Sequence, residues 1–487
     1  MEEKTILRTG IISDIHISKR SREDLKSLEI DIGNYASAIA QLNKLADNKL
    51  DMLIMLGDYT YTGNPLHAES FIQSTKVILD GIFGKNNHPK LLFVYGNHDT
   101  AWNFNKPISY NCINVKEWEA LFKKYSLMPE KAETDGLGSY HINITKNGQE
   151  YHYITLNQQG YNPNTFSSVT LDWVDNILSF LPNNKYVFVS AHSPIQKSGV
   201  FGTNAEIECK ADSLSKGNDN LHHLLSKYPN VIYLSGHTHF SQLLESSIMQ
   251  KGYTALFASP VLLQTFYSLS NPYVNSLREL PYGMGLYIET NVDGSQNINR
   301  VRFDYSKLYA EITVDYDKSH NNTIKNPAFG LNGEPEYISD IYLSDCKVIN
   351  QENVALFDKP FLLPPPDIDG NYLKKYTASR DIAPEFPQNS FIKVSDATYN
   401  AQDKEFSALI EFPKTATPSL HYRIAFLDDG NALLNEVWVL DELYNFTNED
   451  IHSFNKITCE KSPSYIKITP VNEYGSFWKA IICEISA

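Results

Sequence analysis

Five short apolar runs in the first half of the chain end in residues that bind metals or transfer protons. One of them, "LLFVY" (91–95), is followed by Gly96, Asn97, His98 and Asp99. The other four runs are followed by Asp14 and His16, by Asp58, by His192, and by His237 and His239. A core strand does not need such residues where it ends, since charged side chains and amides favour water. Their types and positions point to a metal site with acid–base chemistry.

Short apolar strands alternate with amphipathic helices over the first 300 residues. Strands are predicted at 6–12, 51–56, 91–95, 151–156, 185–190 and 231–235, paired strands at 283–290 and 297–305, and helices at 32–46, 67–82, 171–178 and 220–228. This alternation is typical of a layered α/β domain with a largely parallel sheet. The binding crevice of an open α/β sheet lies outside the carboxyl ends of its strands. We therefore expect the polar residues that follow the strands to meet at one edge.

These strand ends supply eight side chains that could contact a metal directly, which is too many for one ion. Oxygen and imidazole ligands without cysteine suit manganese, iron, zinc or nickel. Two ions that share a carboxylate would use the whole set. Two adjacent cations repel each other, so an anion must lie between them. Asp58, which follows Gly57 in a tight turn, is the predicted bridge.

The order of these blocks resembles the calcineurin-like metallophosphoesterase superfamily over residues 7–305. The blocks are Asp14-x-His16, Gly57-Asp58, Gly96-Asn97-His98-Asp99, His192 and Gly236-His237-x-His239. One block alone would be a weak signal, whereas five in the family's order, each at a strand end, are specific. The helix "SSVTLDWVDNIL" is similar to that of the bacterial class III phosphodiesterases. The resemblance implies a β-sandwich core flanked by helices.

The resemblance also implies a role for each residue. Asp14, His16 and His239 would bind the first metal, Asn97, His192 and His237 the second, and Asp58 both. His98 would face the substrate and either protonate the leaving oxygen or stabilise the phosphoryl charge. Asp99 would orient His98 or the neighbouring backbone. Asn97 and His98 are thus also the predicted substrate-binding residues.

The implied activity is dinuclear metal-dependent hydrolysis of a phosphoester, with a phosphodiester favoured as substrate. A hydroxide held between manganese, iron or zinc ions would attack phosphorus in line, and His98 would supply the proton. The alternatives are a phosphomonoesterase, a DNA nuclease of the same superfamily, and a non-catalytic binding or scaffold protein. The formal net charge of −15 argues against a nuclease, because Lys and Arg dominate phosphate-backbone binding.

Several other features leave two interpretations open. Tyr61 stands three residues after Asp58, as in the purple acid phosphatases, but His16 already supplies the ligand that those enzymes lack. Residues 196–217 are either a substrate lid or a surface excursion. Trp102 and Phe104 either stack on a leaving group or pack in the core. The adjacent His222 and His223 are expected to be ordinary helix residues.

The chain of 487 residues is long enough for two or three domains. We predict a metallophosphoesterase domain at 1–308, a β-containing proline-rich connection at 309–388, and a β-sandwich at 389–487 that weakly resembles fibronectin type III. Its aromatic residues Trp438, Tyr444, Phe446 and Trp478 either pack in its core or form a ligand platform. This domain is the expected surface for a protein partner or for self-association.

Cysteine usage favours a reducing compartment. The five cysteines, Cys112, Cys209, Cys346, Cys459 and Cys483, are widely spaced and form no CxxC motif. The N-terminal residues lack a signal-peptide pattern, and no apolar run reaches the length of about 18 residues that a membrane span needs. We therefore predict a cytoplasmic protein with a small phosphorylated substrate and with no nucleic-acid or membrane partner.

Overall fold

The fold is described from a computed structural model. The structure describes residues 4–17, 25–60, 63, 65–100, 113–157, 166–195, 219–239, 247–250, 252–266, 276–279, 282–305, 310–316, 328–329, 335–336, 341–348, 355–356, 361–363, 365–366, 393–411, 419–440, 451–472 and 480–485. The chain divides into two compact units. The first comprises Met1–Gln242, Ser246–Thr265 and Leu277–Ala378, and the second comprises Leu243–Glu245, Phe266–Ser276 and Ser379–Ala487.

Twenty strands and five helices precede residue 379 in the described part of the chain. The strands are β1 (Thr5–Ile12), β2 (Met52–Met55), β3 (Lys90–Phe93), β4 (Glu133–Thr134), β5 (Tyr140–Lys146), β6 (Gln149–Thr155), β7 (Val187–Ser190), β8 (Val231–Ser235), β9 (Ile248–Gln250), β10 (Thr254–Phe257), β11 (Leu263–Phe266), β12 (Ser276–Glu279), β13 (Tyr282–Asn291), β14 (Gln296–Asp304), β15 (Ala310–Tyr316), β16 (Ala328–Phe329), β17 (Pro335–Glu336), β18 (Ile341–Val348), β19 (Ala355–Leu356) and β20 (Phe361–Leu363). The helices are α1 (Leu25–Leu45), α2 (Pro65–Phe83), α3 (Val115–Lys124), α4 (Ser168–Phe180) and α5 (Asp219–Leu225).

Two mixed seven-stranded sheets form the centre of the first unit. One has the order β19-β14-β13-β1-β2-β3, with β20 also paired to β14, and the other has the order β4-β5-β6-β7-β8-β10-β9. Pairing is parallel in β1-β2-β3 and in β6-β7-β8-β10, and antiparallel elsewhere in these two sheets. The two sheets with their few helices confirm the layered metallophosphoesterase fold.

Parallel pairing thus involves the five strands that precede the polar blocks together with β6 and β10, so the prediction of a largely parallel sheet is corrected to two mixed sheets. The alternation of strands and helices also leaves some hairpins at the sheet margins undetected. One of these joins β5 to β6 through Asn147 and Gly148, whose φ angles are +52° and +72°. Such left-handed pairs make the two-residue turn that suits an antiparallel hairpin.

An aromatic core lies beneath the first sheet and supports the loops that follow β2 and β3. The ring of Tyr59 stacks on Phe71 of α2 at 4.8 Å and meets Trp118 of α3 edge-on at 5.6 Å. Helix α3 itself was not predicted. It begins at a capping box in which Asn114 accepts from the Glu117 amide and the Glu117 side chain accepts from the Asn114 amide.

The stretch 309–388 contains further strands. Strands β19 and β20 pair with β14 of the first sheet, β15 pairs with β18, and β16 pairs with β17. Where the connecting region begins and ends, and where the C-terminal domain starts, stay predictions.

The second unit contains seven strands, which form two antiparallel sheets. They are β21 (Lys393–Asn400), β22 (Glu405–Glu411), β23 (Ser419–Leu427), β24 (Leu433–Leu440), β25 (Ile451–Thr458), β26 (Tyr465–Asn472) and β27 (Ile481–Glu484). One sheet has the order β21-β22-β25 and the other β24-β23-β26-β27. Phe406, Ile424, Phe426, Ile466 and Ile468 are buried together in its core. This arrangement agrees with the predicted all-β domain, whereas its resemblance to fibronectin type III stays a prediction.

None of the helices in the described ranges combines the length and the apolar character required to cross a bilayer.

Candidate metal centre

The loops after β1, β2, β3, β7 and β8 meet and bring the predicted ligands together. The Asp14 amide donates to Gly57 O at 3.0 Å, and the His16 amide donates to Asp58 O at 2.8 Å. The Gly236 amide donates to His192 O at 2.8 Å. These backbone bonds join loops that are distant in sequence. The side chains of all seven predicted ligands therefore face one buried region.

The ligand atoms fall into two groups that share one carboxylate. The first group is Asp14, His16, Asp58 and His239, and the second is Asp58, His192 and His237. Within each group one ligand atom per residue lies within 4.8 Å of the others. Asp58 Oδ2 lies 3.5 Å from His16 Nε2 of the first group and 3.2 Å from His192 Nε2 of the second. This is the position that the sequence predicted for the bridging residue.

Each of the two carboxylates has one oxygen held by a backbone amide from another loop. Asp58 Oδ1 accepts from the His98 amide at 2.8 Å, and Asp14 Oδ2 accepts from the His237 amide at 2.9 Å. The other oxygen of Asp14 faces imidazole nitrogen, since Asp14 Oδ1 lies 3.3 Å from His239 Nε2. A backbone donor on one oxygen fixes the direction of the second oxygen, as in sites where outer hydrogen bonds orient metal ligands.

Asn97 completes the second group with an amide oxygen. Its Oδ1 lies 3.2 Å from His192 Nε2 and 3.1 Å from His237 Nδ1, and those two nitrogens are 3.2 Å apart. Turning the amide over would instead aim its NH₂ at Asp58 and at both imidazoles. The orientation in the structure directs an oxygen and ring nitrogens toward one another, an arrangement that a cation between them would stabilise. The donor set is therefore suited to a divalent metal.

The protonation states of the ligands also suit a metal. Burial raises the pKa of Asp14, but His239 and then His192 lower it to about 2. Burial also opposes ionisation of Asp58, yet His192 and His98 hold its pKa well below the usual range. Burial, followed by the charge of His192, lowers the pKa of His237 to about 3. At neutral pH both carboxylates are charged and His237 is neutral, which are the forms that bind metals. Burial lowers the pKa of His192, but Asp58 raises it to about 9, so this ligand would have to release a proton when a metal binds.

Five of the seven ligand candidates have left-handed backbone conformations. The φ angles are +51° at Asp14, +47° at His16, +53° at Asp58, +79° at His237 and +59° at His239. Such angles are uncommon for residues with a side chain, and strained positions of this kind concentrate at functional sites. The loops therefore turn sharply directly after the strands, and the side chains turn back toward one another.

Two glycines allow the loops to approach closely enough. A Cβ at Gly96 would lie 2.1 Å from Asp58 Oδ1, and a Cβ at Gly236 would lie 1.8 Å from Ser13 Oγ and 2.7 Å from Asp14 Oδ2. Any side chain at either position would collide with a ligand or its neighbour. The glycines of these two sequence blocks are thus required by packing.

His98 and Asp99 occupy different layers of the site. The ring of His98 is partly exposed and meets the ring of His16 edge-on at 4.8 Å. The buried carboxylate of Asp99 accepts from the Tyr59 amide and from the Gly96 amide, both at 2.9 Å. Burial and then the charge of Asp58 raise the pKa of Asp99 to about 8. Of the two tasks suggested for Asp99, these contacts favour support of the backbone.

Several predicted features lie outside the described residues. These are Tyr61, Trp102, Phe104, the stretch 196–217, Tyr444, Phe446, Trp478 and the side chain of Trp438. His222 is described, and its Nδ1 lies 3.2 Å from Tyr253 Oη, as expected for an ordinary helix residue.

Two contacts at the site were not foreseen. His192 Nδ1 lies 2.6 Å from Leu56 O, a contact that fixes the ring so that Nε2 faces the other ligands. Trp118 Nε1 donates to Asp99 O at 3.0 Å. The sequence N-x-x-E at 114–117 would have signalled the start of helix α3, but no local pattern shows where the indole points.

Comparison with known proteins agrees with this geometry. A sequence model of the calcineurin-like phosphoesterases matches residues 7–241. A protein of Nostoc sp. named 3′,5′-cyclic-nucleotide phosphodiesterase is 23% identical over 323 residues, which cover 65% of this chain and 100% of that protein. Residues 7–241 therefore match the calcineurin-like phosphoesterase family, and this match, together with the buried Asp/His cluster, supports a metal-dependent hydrolase of phosphoester bonds.

Proposed function

We propose that this protein hydrolyses phosphodiesters at a dinuclear metal centre and that 3′,5′-cyclic nucleotides are the substrates to test first. The observation that carries the proposal is the shared position of Asp58 in both ligand groups. Two groups of ligands that meet at one carboxylate suit two ions better than one. The name of the relative from Nostoc sp. supports a diester, and a cyclic nucleotide in particular.

We propose the division of ligands that the family resemblance implies. Asp14, His16 and His239 would hold one ion and Asn97, His192 and His237 the other, with Asp58 between them. Manganese, iron and zinc all suit this set of oxygen and imidazole donors. When bound, such ions supply Lewis-acid stabilisation of phosphoryl charge and a nucleophile at neutral pH for in-line attack.

The chain's own residues supply the rest of the chemistry. His98 is partly exposed beside the ligands, and its amide is fixed to Asp58 at 2.8 Å. Its imidazole would contact the phosphoryl group and donate a proton to the leaving oxygen. Asn97 would contact the substrate from the second ligand group. Asp99 would support this turn by accepting the Tyr59 and Gly96 amides.

Location and partners follow from composition and form part of the proposal. The cysteine pattern supports the cytoplasm, and the net charge of −15 supports a small phosphorylated substrate over a nucleic acid. The antiparallel sheets of the second unit would serve a protein partner or self-association.

The test compares bis(p-nitrophenyl) phosphate with p-nitrophenyl phosphate. The protein is stripped of metal, refilled with Mn²⁺, and assayed together with Asp58→Asn and with His98→Ala. Diester turnover that needs Mn²⁺ and is lost in both variants would support the proposal, and 3′,5′-cyclic nucleotides would be assayed next. Turnover of the monoester alone would make the protein a phosphomonoesterase. No turnover with any metal would contradict the proposal and favour a binding role for the second unit.

A further inference from the structure

We infer that Trp118 of helix α3 is a positioning residue that sets the placement of His98 through the backbone carbonyl of Asp99. The inference rests on the proposed function insofar as His98 serves there as the proton donor. It concerns a residue 19 positions away from Asp99 in sequence.

The turn at residues 96–100 is held at two points. The His98 amide donates to Asp58 Oδ1, a ligand oxygen, at 2.8 Å. The indole Nε1 of Trp118 donates to Asp99 O at 3.0 Å. The two bonds flank the His98 side chain directly, one at its own amide and one at the next residue. Together they restrict rotation of the backbone that carries the imidazole.

The carbonyl of Asp99 is closely surrounded. A Cβ at Gly63 would lie only 2.2 Å from Asp99 O, so Gly63 packs against this atom without a side chain. Both Asp99 and Trp118 are fully buried. Leaving a buried carbonyl without a donor is unfavourable, so the peptide would turn to find another partner. Such a turn would displace His98 before it displaced the more distant ligands.

Trp118 is itself rigidly held. Its ring lies 5.6 Å from Tyr59, 5.9 Å from Tyr95 and 5.9 Å from Phe122 between ring centroids. Its backbone amide donates to Asn114 O at 3.0 Å, in the first turn of the capped helix. The indole therefore holds its N–H donor in a fixed position, and helix α3 supports the turn at 96–100 that carries His98, the proposed proton donor.

The test uses Trp118→Phe, which keeps an aromatic ring and removes the N–H donor. Trp173→Phe is the matched control, since Trp173 Nε1 donates to Glu133 at 3.0 Å on the exposed side of α4. Hydrogen exchange of the amides at 96–100 is measured in metal-free and Mn²⁺-loaded protein. We expect exchange about tenfold faster in Trp118→Phe, with strand β8 unchanged. Unchanged exchange at 96–100 would overturn the inference, whatever the activity.

A second readout separates positioning from general support. Methyl p-nitrophenyl phosphate has a good leaving group, whereas methyl phenyl phosphate depends more on protonation. In Trp118→Phe we expect turnover of the phenyl ester to fall about tenfold and that of the nitrophenyl ester less than about threefold, with metal content unchanged. Equal losses together with reduced metal content would overturn the inference, because Trp118 would then merely support the ligands.

Two further measurements keep the outcomes distinct. If Trp118→Phe does not fold, Gly63→Ala replaces it, because the added methyl group displaces the same carbonyl while the indole stays intact. If Mn²⁺-loaded wild-type protein hydrolyses neither ester, the proposed function fails. The hydrogen-exchange result then decides the position of Trp118 independently.

Discussion

The two ends of strands β2 and β3 carry the same residue types in opposite surroundings. Asp51 precedes β2 and Asp58 follows it, and His88 precedes β3 while His98 follows it. At the amino ends each side chain has a partner of its own. Asp51 accepts from the Arg8 amide at 2.8 Å and from the Lys146 ammonium, and His88 Nε2 lies 2.8 Å from Asp80 Oδ1.

At the carboxyl ends the side chains face one another instead. Asp58 Oδ2 lies within 3.5 Å of two imidazole nitrogens, and its side chain is 1% exposed, compared with 21% for Asp51. Asp51, at the amino end of β2, thus forms a structural ion pair, whereas Asp58, at the carboxyl end, is a candidate metal ligand. The two aspartates differ in how many oxygen and nitrogen atoms of other residues lie close to the carboxylate in a buried place.

The largest difference should appear when each of the two aspartates that flank β2 is replaced separately by asparagine. Asp58→Asn removes the charge shared by both ligand groups, and loss of even an outer-layer partner costs a metal site about 10–100-fold. We expect diester turnover to fall more than about 100-fold and the metal content to fall. Asp51→Asn should keep turnover within about twofold. Assays with Mn²⁺ and metal analysis of both variants test this, and equal losses would refute the contrast between the strand ends.

The next largest difference should appear between substitutions of the two histidines that flank β3. General acid catalysis contributes about 10²–10⁴-fold, and nitrophenolate needs little assistance, so His98→Ala should reduce turnover of a nitrophenyl diester by about 100-fold. Metal content should stay unchanged. His88→Ala should keep both turnover and metal. Loss of metal in His98→Ala would instead make His98 a ligand.

Metal binding should stabilise the fold only through ligands at the carboxyl ends of the strands, such as Asp58, and not through residues at the amino ends, such as Asp51. An ion at about 100 times its dissociation constant stabilises the native state by about 2.7 kcal/mol. Mn²⁺ added to metal-free protein should therefore raise the melting temperature by several degrees in the wild type and in Asp51→Asn. The increase should be much smaller in Asp58→Asn. Calorimetry of the three proteins with and without Mn²⁺ measures this, and a full increase in Asp58→Asn would place the ion elsewhere.

The smallest effect concerns the pH dependence of stability that comes from the ion pairs of Asp80, near the amino end of β3. Burial raises the pKa of Asp80, but hydrogen bonds from Lys76 and His88 lower it below its usual value. Since the folded pKa is lowered, this pairing stabilises the fold above the unfolded pKa and is lost as pH falls through the folded pKa. Partly exposed pairs contribute about 0.2–1 kcal/mol. Asp80→Asn should lower the free energy of unfolding by that amount at pH 7 and by less at pH 3, in urea titrations. Equal losses at both pH values would exclude the ion pair as the cause.

Much of the fold could be predicted because periodicity is a local property. Strands β1, β2, β3, β6, β7 and β8 and helices α1, α2, α4 and α5 lie where apolar spacing indicated them. The paired strands β13 and β14 were predicted, whereas strand β5 was missed because an antiparallel hairpin such as β5-β6 leaves no mark in the alternation of elements. Helix α3 was missed although its capping box, formed by Asn114 and Glu117, is recognisable in the sequence.

The site could be predicted in composition but not in geometry. Polar residues directly after apolar strands indicated the ligands, since parallel strands deliver their carboxyl ends to one edge. Their left-handed backbone angles and the backbone donors that orient Asp14 and Asp58 have no local signature. The bond from the His237 amide to Asp14 joins residues 223 positions apart.

The amino-acid sequence alone therefore specified which side chains meet, what kind of ion they suit and the class of reaction. Ligand chemistry depends on residue type, and the positions of strand ends depend on the local pattern of apolar residues. Tertiary structure alone decided which backbone amides orient Asp14 and Asp58. It also decided that an indole from α3 donates to the backbone carbonyl of Asp99, next to His98. Those facts depend on distances between segments far apart in the chain, and such distances are set only when the two sheets and the aromatic core pack.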